Sequence, residues 1–263
     1  MDAAVLQAYA ALAVMATVPI YLGSYAGLSK GNKLNDDEDE DEQNAKEFFS
    51  FSDAKMYPLV GSAVLFSLYL LLKFVSKDII NTLLTANFTF VGYFALAEVL
   101  MLAVRYFSGN PLRGRFLLTL TETPANEPEL WRLRFGYTHL SVWIAALATT
   151  ALYAYSKHWI LSNVFGEAFS IASIQLLSLD SFATGMLLLA GLFLYDIFWV
   201  FGTEVMVTVA KGLDVPIKVT FPKNVTAILE QGVFTSKPDV PFTMLGLGDI
   251  VIPGFVSFEM APR

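Results

Sequence analysis

Seven stretches of this chain are too long and too apolar for the elements of a soluble domain. A helix crosses a hydrocarbon layer of about 30 Å with roughly 18–20 predominantly apolar residues, rising ~1.5 Å per residue. By that measure spans are predicted at Ala3–Leu22, Tyr57–Val75, Ile79–Val104, Tyr137–Tyr155, Trp159–Leu179 and Phe182–Gly202, with a shorter seventh at Pro241–Phe258. Lipid offers no hydrogen-bonding partner to an exposed backbone, so a succession of such runs has one ready solution, a bundle of helices. The fold class read from the sequence is an all-α polytopic membrane protein. Only 16% of the residues are charged, against about 25% in a soluble domain. A net charge of −7 without a basic patch argues against a nucleic-acid partner. The absence of cysteine excludes disulfides and thiolate metal sites.

Loop charge orients the bundle. The first run is preceded by Met1-Asp2 and followed by Lys30 and Lys33, the reverse of a cleaved signal peptide, so it reads as a retained span with its N-terminus outside. Loops after spans one, three and five then lie inside and carry four, five and no Lys/Arg; the break Lys73–Asp78 after span two carries two and the loop after span four one. The four lysines of the sixth connection weaken this count without reversing it. Two regions follow. Residues 1–181 hold spans one to five with an acidic loop at 30–47, whose run Asp36–Glu42 reads as a solvated segment. Residues 182–263 hold spans six and seven, their amphipathic connection 203–240 and an atypical tail.

Two acids stand out in that second region. Asp196 lies in GMLLLAGLFLYDIFWVFG and Asp249 in PFTMLGLGDIVIPGF. A carboxylate near the bilayer centre costs roughly 2.5–3.5 kcal/mol on insertion scales. Consecutive spans run antiparallel, and Asp196 lies about seven residues before one ends, Asp249 about eight after the next begins. At ~1.5 Å per residue both are expected about 10–12 Å inside the same face, within mutual reach if the helices touch. Two close carboxyls share a proton and titrate as a pair. One can then take a proton from water while the other polarises a carbonyl. Neither H-E-x-x-H, G-x-S-G nor a Walker A loop occurs, so no metal and no cofactor is expected. Gly246 and Gly248, flanking Leu247, allow close approach beside Asp249. Tyr195 precedes Asp196 but faces a different direction on a helix. Glu98 and Glu167 are also in apolar runs; they read as inter-helix hydrogen-bonding residues or as parts of a proton path.

The stretches LFLYDIFWVFGTEVMVTVAKGLDVPIKVTFP, Leu192–Pro222, and MLGLGDIVIPG, Met244–Gly254, together resemble the signal peptide peptidases, presenilin-type intramembrane aspartyl proteases with Tyr-Asp and Gly-x-Gly-Asp motifs. The similarity is densest from Trp159 to Gly254 and extends to KHWILSNVFGEAF at Lys157–Phe169. It implies a presenilin-like bundle with about seven of the family's nine spans present, and catalytic roles for Asp196 and Asp249 supported by Tyr195, Gly246, Leu247 and Gly248. It also implies an endoplasmic-reticulum membrane location with a lumenal N-terminus. The expected partners are the bilayer, transmembrane helical substrates (above all leftover signal peptides of type II orientation) and a second copy of the chain. The family's Pro-Ala-Leu motif does not occur before Arg263, so the sequence reads as a C-terminally truncated form. The alternative to a protease is then a non-catalytic form that binds substrates or full-length protomers. An ion- or proton-coupled transporter using Asp196, Asp249, Glu98 and Glu167 would leave the motifs unexplained.

Overall fold

Each predicted apolar run except the last folds as one long helix. A computed structural model describes residues 3–33, 47–108, 116–120, 131–213, 215–225, 228 and 240–259. The long helices are α1 (Ala3–Lys33), α2 (Phe51–Phe74), α3 (Lys77–Ser108), α4 (Tyr137–Ser156), α5 (Trp159–Leu176) and α6 (Phe182–Asp196), the last continued by a π-helical turn at Ile197–Phe201. Two shorter helices are α7 (Val205–Gly212) and α8 (Gly248–Glu259). Six short strands pair two by two: β1 (Glu47–Phe49) with β4 (Leu177–Leu179), β2 (Phe116–Leu120) with β3 (Trp131–Phe135), and β5 (Lys218–Pro222) with β6 (Phe242–Gly246). Four helical segments are long and apolar enough to cross a membrane: Val5–Ala26, Phe51–Phe74, Lys77–Phe107 and Phe182–Phe201. α4 and α5 form where spans four and five are expected, but Thr, Tyr and His in one and Ser, Asn, Glu and Gln in the other leave them less apolar than those four.

Local signals set the helix ends. Ser50 and Asp53 form a capping box at α2, with Ser50 Oγ accepting from the Asp53 N–H at 3.3 Å and Asp53 Oδ2 accepting from the Ser50 N–H at 3.0 Å. Ser181 caps α6 by accepting from the Thr184 N–H. Lys157, in the left-handed region at φ 47°, ends α4 and turns the chain into α5. β1 and β4 pair in parallel, Glu47 opposite Leu177, so the segments after the first and fifth long runs lie at the same end of the bundle. That agrees with alternating passes. The acidic run Asp36–Glu42, Arg113 and Arg115 fall outside the described residues.

Between helices in lipid, apolar burial gives little, and close packing decides. Small residues therefore mark the contacts. A Cβ on Gly92 of α3 would lie 2.5 Å from the Phe165 ring of α5, and one on Gly191 of α6 would lie 2.7 Å from Pro58 of α2. A Cβ on Gly254 of α8 would lie 2.5 Å from Ile174, the α5 residue that Gly23 of α1 also receives. One core joins α3, α4 and α5 through Ala95, Leu96, Ala146, Tyr153, Phe165 and Ala168. Another joins α1, the β5–β6 hairpin and α8 through Leu12, Val219 and Ile250.

The seventh segment departs from expectation. Its first third is strand β6, and the helix starts only at Gly248. The run Phe-Thr-Met-Leu-Gly is short and rich in residues that suit a strand, and periodicity does not separate such a run from a buried helix. What decides is a partner, β5, which pairs with it antiparallel from Lys218–Gly246 to Pro222–Phe242. The 203–240 connection is likewise docked where it is described. α7 packs on α2 and α3 through Val209 and Leu213 against Leu72 and Ile80. Its last turn is closed by the Asn81 amide donating to the Gly212 carbonyl at 3.2 Å, and by Lys218 Nζ donating to the Ala210 carbonyl at 2.6 Å.

Replacing Gly92 by alanine tests the packing. Overpacking costs about 1–3 kcal/mol, more than the ~1 kcal/mol that alanine adds to a helix. Gly92→Ala should lower the melting temperature in detergent micelles. Gly61→Ala, whose Cβ would meet Tyr195 at an ordinary 3.5 Å, should leave it unchanged or raised.

Candidate active site

Asp196 is the last residue of α6, and the helix widens directly beyond it into the π-helical turn. Such turns are uncommon and concentrate where a helix is adapted to a site. α6 lies on α2 through Gly191, Tyr195 and Trp199, one helical turn apart. Gly191 receives Pro58, Tyr195 lies over Gly61, and the Trp199 indole N–H donates to Ser62 Oγ at 2.8 Å. Ser62 in turn donates to the Pro58 carbonyl at 2.6 Å. These contacts fix the rotation of α6 about its axis and so the direction of Asp196, which is half-buried.

Asp249 is placed by the hairpin. It is the second residue of α8, not two turns inside a helix as the sequence suggested. The strand consumes the preceding residues at about 3.3 Å each instead of ~1.5 Å. Leu247 joins β6 to α8: its N–H donates to the Ile217 carbonyl at 3.1 Å, and its own carbonyl accepts from Ile250 and Val251. Its side chain packs with Leu12, Val219 and fully buried Ile250. Asp249 therefore stands two residues beyond an anchored one. Its carboxyl takes a hydrogen bond from the backbone of Gly246. The positive end of the α8 dipole lies under it. Pro253, one turn on, has no N–H to give the Asp249 carbonyl, which softens the first turn of α8.

The hairpin's hydrogen-bond parity gives its two outer edges different characters. Leu247 donates to Ile217 and Lys223 to the Pro241 carbonyl, so in the antiparallel alternation Val219–Leu245 and Phe221–Thr243 are the bonded pairs. Lys218–Gly246, Thr220–Met244 and Pro222–Phe242 are non-bonded pairs, a place where Pro222 costs no ladder bond. The backbone groups of Thr220 therefore point away from β6, and those of Phe242, Met244 and Gly246 point away from β5. Among the described residues no strand covers the outer edge of β6, and Met244 is exposed.

Asp196 ends α6 and Asp249 opens α8, two helices that pack together. The Asp196 carboxyl acts electrostatically on Asp249. Leu188 and Leu192 of α6 pack with Val251, Ile252 and Val256 of α8 and close the two helices beside them. Tyr195 is half-buried and interacts electrostatically with both Asp196 and Tyr57. Gly246 lies 3.4 Å, measured from where its Cβ would be, from Asp249 Oδ2, and Gly248 opens α8. Glu98 is exposed on α3, and Glu167 Oε1 is buried with no hydrogen-bond partner among the described residues. Tyr57, Ser62 and Asn163 were given no role by sequence reasoning. The only available signal was polarity inside apolar runs, and their partners lie on helices distant in the sequence.

The sequence is similar to those of known proteins. The family described as signal peptide peptidase matches residues 40–260. The chain is 38% identical to mouse signal peptide peptidase over 251 residues, covering 94% of this chain and 62% of that protein. It is 37% identical to the human signal peptide peptidase, covering 94% and 63%. It is 34% identical to a probable intramembrane protease of Schizosaccharomyces pombe, covering 82% and 59%. The chain thus spans about three fifths of the length of these relatives. No solved structure matches it.

The Trp199–Ser62 bond has a measurable consequence. Ser62→Ala leaves the indole N–H without its acceptor, a loss of about 1–3 kcal/mol. The variant should melt earlier in micelles, whereas Ser62→Thr should retain the melting temperature.

Proposed function

The chain belongs to the signal peptide peptidase family, and on that premise we propose that it hydrolyses peptide bonds inside transmembrane segments, with Asp196 and Asp249 activating the attacking water. The observation that carries this reading is the packing of the end of α6, which carries Asp196, against the start of α8, which carries Asp249, directly beside a strand edge that no strand covers among the described residues. In the proposed reaction one carboxylate takes a proton from water as its oxygen attacks the scissile carbonyl. The partner, protonated, donates to the carbonyl oxygen and gives a gem-diol. The C–N bond then breaks as a proton passes to the leaving nitrogen. The dyad returns to one shared proton, and no covalent intermediate is needed.

A transmembrane substrate arrives as a helix whose scissile carbonyl is hydrogen-bonded to its own backbone. It must be extended before water can attack. The outer edge of β6 supplies what an unwound segment lacks: the N–H and C=O of Met244, facing away from β5, just before Asp249. The docked connection that carries β5 and β6 is, on this reading, the part that holds the extended chain. The substrate class is leftover signal peptides and other transmembrane segments of type II orientation. The place is the endoplasmic-reticulum membrane with the N-terminus lumenal.

Two results test this. Purified protein should cleave a labelled transmembrane peptide, and Asp196→Asn or Asp249→Asn should each lower the rate by about 10³-fold or more without lowering the melting temperature. Equal cleavage by either variant would sink the dyad. Met244→Pro removes an N–H that the β5–β6 ladder does not use, so it should lower kcat/KM about tenfold with the hairpin intact.

A further inference from the structure

We propose that Asn163 is a positioning residue: it closes the outer edge of β5 at its centre, leaves the outer edge of β6 as the side of this hairpin that no strand or side-chain amide covers among the described residues, and thereby sets which bond reaches the aspartate pair. The inference rests on the proposed hydrolysis within transmembrane segments and deepens it to the register of the bound chain.

Asn163 is 4% exposed, one turn into α5. Its Nδ2 donates to the Thr220 carbonyl at 2.7 Å, and its Oδ1 accepts from the Thr220 N–H at 2.8 Å. The Thr220 hydroxyl lies 3.4 Å from the same oxygen. A side-chain amide carries one donor side and one acceptor in a plane, the complement that a peptide unit offers. Here it takes the place of a third strand at a single residue. Thr220 is the central residue of β5 and belongs to a non-bonded pair, so both of its backbone groups are the ones an incoming strand would need. With Asn163 on them, β5 is closed at its centre.

The rest of α5 makes this contact one of position as well as of satisfaction. Trp159, Asn163 and Gly166 follow at helical spacing along one face. The Trp159 ring lies 5.7 Å from that of Phe242 on β6, and His158 stacks on Trp159 at 5.9 Å. A Cβ on Gly166 would lie 3.3 Å from both Leu247 and Val219, so glycine lets the hairpin settle on the helix. This face holds both strands and the residue that links β6 to Asp249. The backbone groups of Val219 and Phe221 are already spent on β6, so a slip of β5 by one residue under Asn163 would bring the amide against groups that are not free. The Asn163–Thr220 contact thus accepts one parity of β5. The apolar contacts of Trp159 and Gly166 do not distinguish an N–H from a C=O.

The chain contains no cysteine, so Met244→Cys provides a unique handle for disulfide trapping. A strand paired with β6 at this residue places its Cα about 5.5 Å away, within disulfide range. A set of transmembrane peptides, each with one cysteine at a successive position, is incubated with the full chain carrying Met244→Cys. Cleaved bonds are mapped in parallel by mass spectrometry on the chain without that handle. With Asn163 present, crosslinks should concentrate at one peptide position and its neighbours two residues away, and cleavage at one bond. Asn163→Ala should lower kcat/KM about tenfold and spread both crosslinks and cleavage to positions of the other parity. Thr220→Pro removes the same N–H from the opposite side. It should give the same spread, with no further loss when combined with Asn163→Ala. A variant that keeps the wild-type bond and crosslink pattern overturns the proposal, even if its rate and melting temperature fall together, because that is the signature of a fold contact alone. Ordered crosslinks without cleavage would refute the hydrolytic reading, while the Asn163 variants would still be judged by the crosslink pattern.

Discussion

A backbone N–H or C=O in an apolar solvent must find a partner, and the architecture around Asp249 follows from that constraint. Helices meet it internally, which is why six long runs of this chain fold as they do. The seventh meets it differently. β6 takes partners from β5, and β5 takes its remaining central partners from the side chain of Asn163. Among the described residues the two-stranded unit is thus satisfied at the centre of one outer edge, and no strand covers the other. Irregular backbone at membrane depth occurs where it lines a cavity or is buried in protein. The hairpin is held against α1, α5 and α8 through Leu12, Val219 and Ile250.

Packing without a strong hydrophobic drive explains the distribution of glycine. Gly92, Gly191 and Gly254 each stand where a methyl group would collide with a side chain of another helix. Two of these contacts bear on the acids indirectly. Gly191 sets α6 against α2 and so the aim of Asp196. Gly254 lets α8 lie against Ile174 of α5, the helix that also seats the hairpin. α5 is not among the four helical segments long and apolar enough to cross a membrane, and it contributes Asn163, Phe165, Ala168, Ser170 and Ile174 to the buried interior. Its polarity is spent on the hairpin and on interior positions such as Glu167, not on lipid.

The two acids are approached from opposite local geometries. Asp196 comes at the end of a regular helix, where the π-helical turn widens the backbone. Asp249 comes at the start of one, beside the Gly246 backbone and the positive end of the helix dipole. Their environments differ in consequence: one carboxyl leaves the end of a helix, the other sits over the backbone donor of Gly246 at the start of one. Asymmetry of this kind is what a pair needs if its members are to take unlike parts in a proton transfer.

Much of this was legible in the chain itself. Apolar run length determined the number and approximate limits of the first six helices, because the period and length of a membrane-spanning helix are set by the solvent and hold for any sequence. The cost of a carboxylate in such a run singled out Asp196 and Asp249, and the Gly-Leu-Gly before Asp249 marked a place of close approach. What the sequence did not determine was the conformation of Phe242–Gly246, since a five-residue apolar run carries no period of its own. Nor did it determine the helix faces that meet, and so Tyr57, Ser62 and Asn163 acquired meaning only through partners up to 137 residues away. Hydrogen-bond parity, the edge left open beside Asp249 and the rotation of α6 were decided by tertiary structure. Each depends on which two backbones lie side by side, and no single segment contains that information.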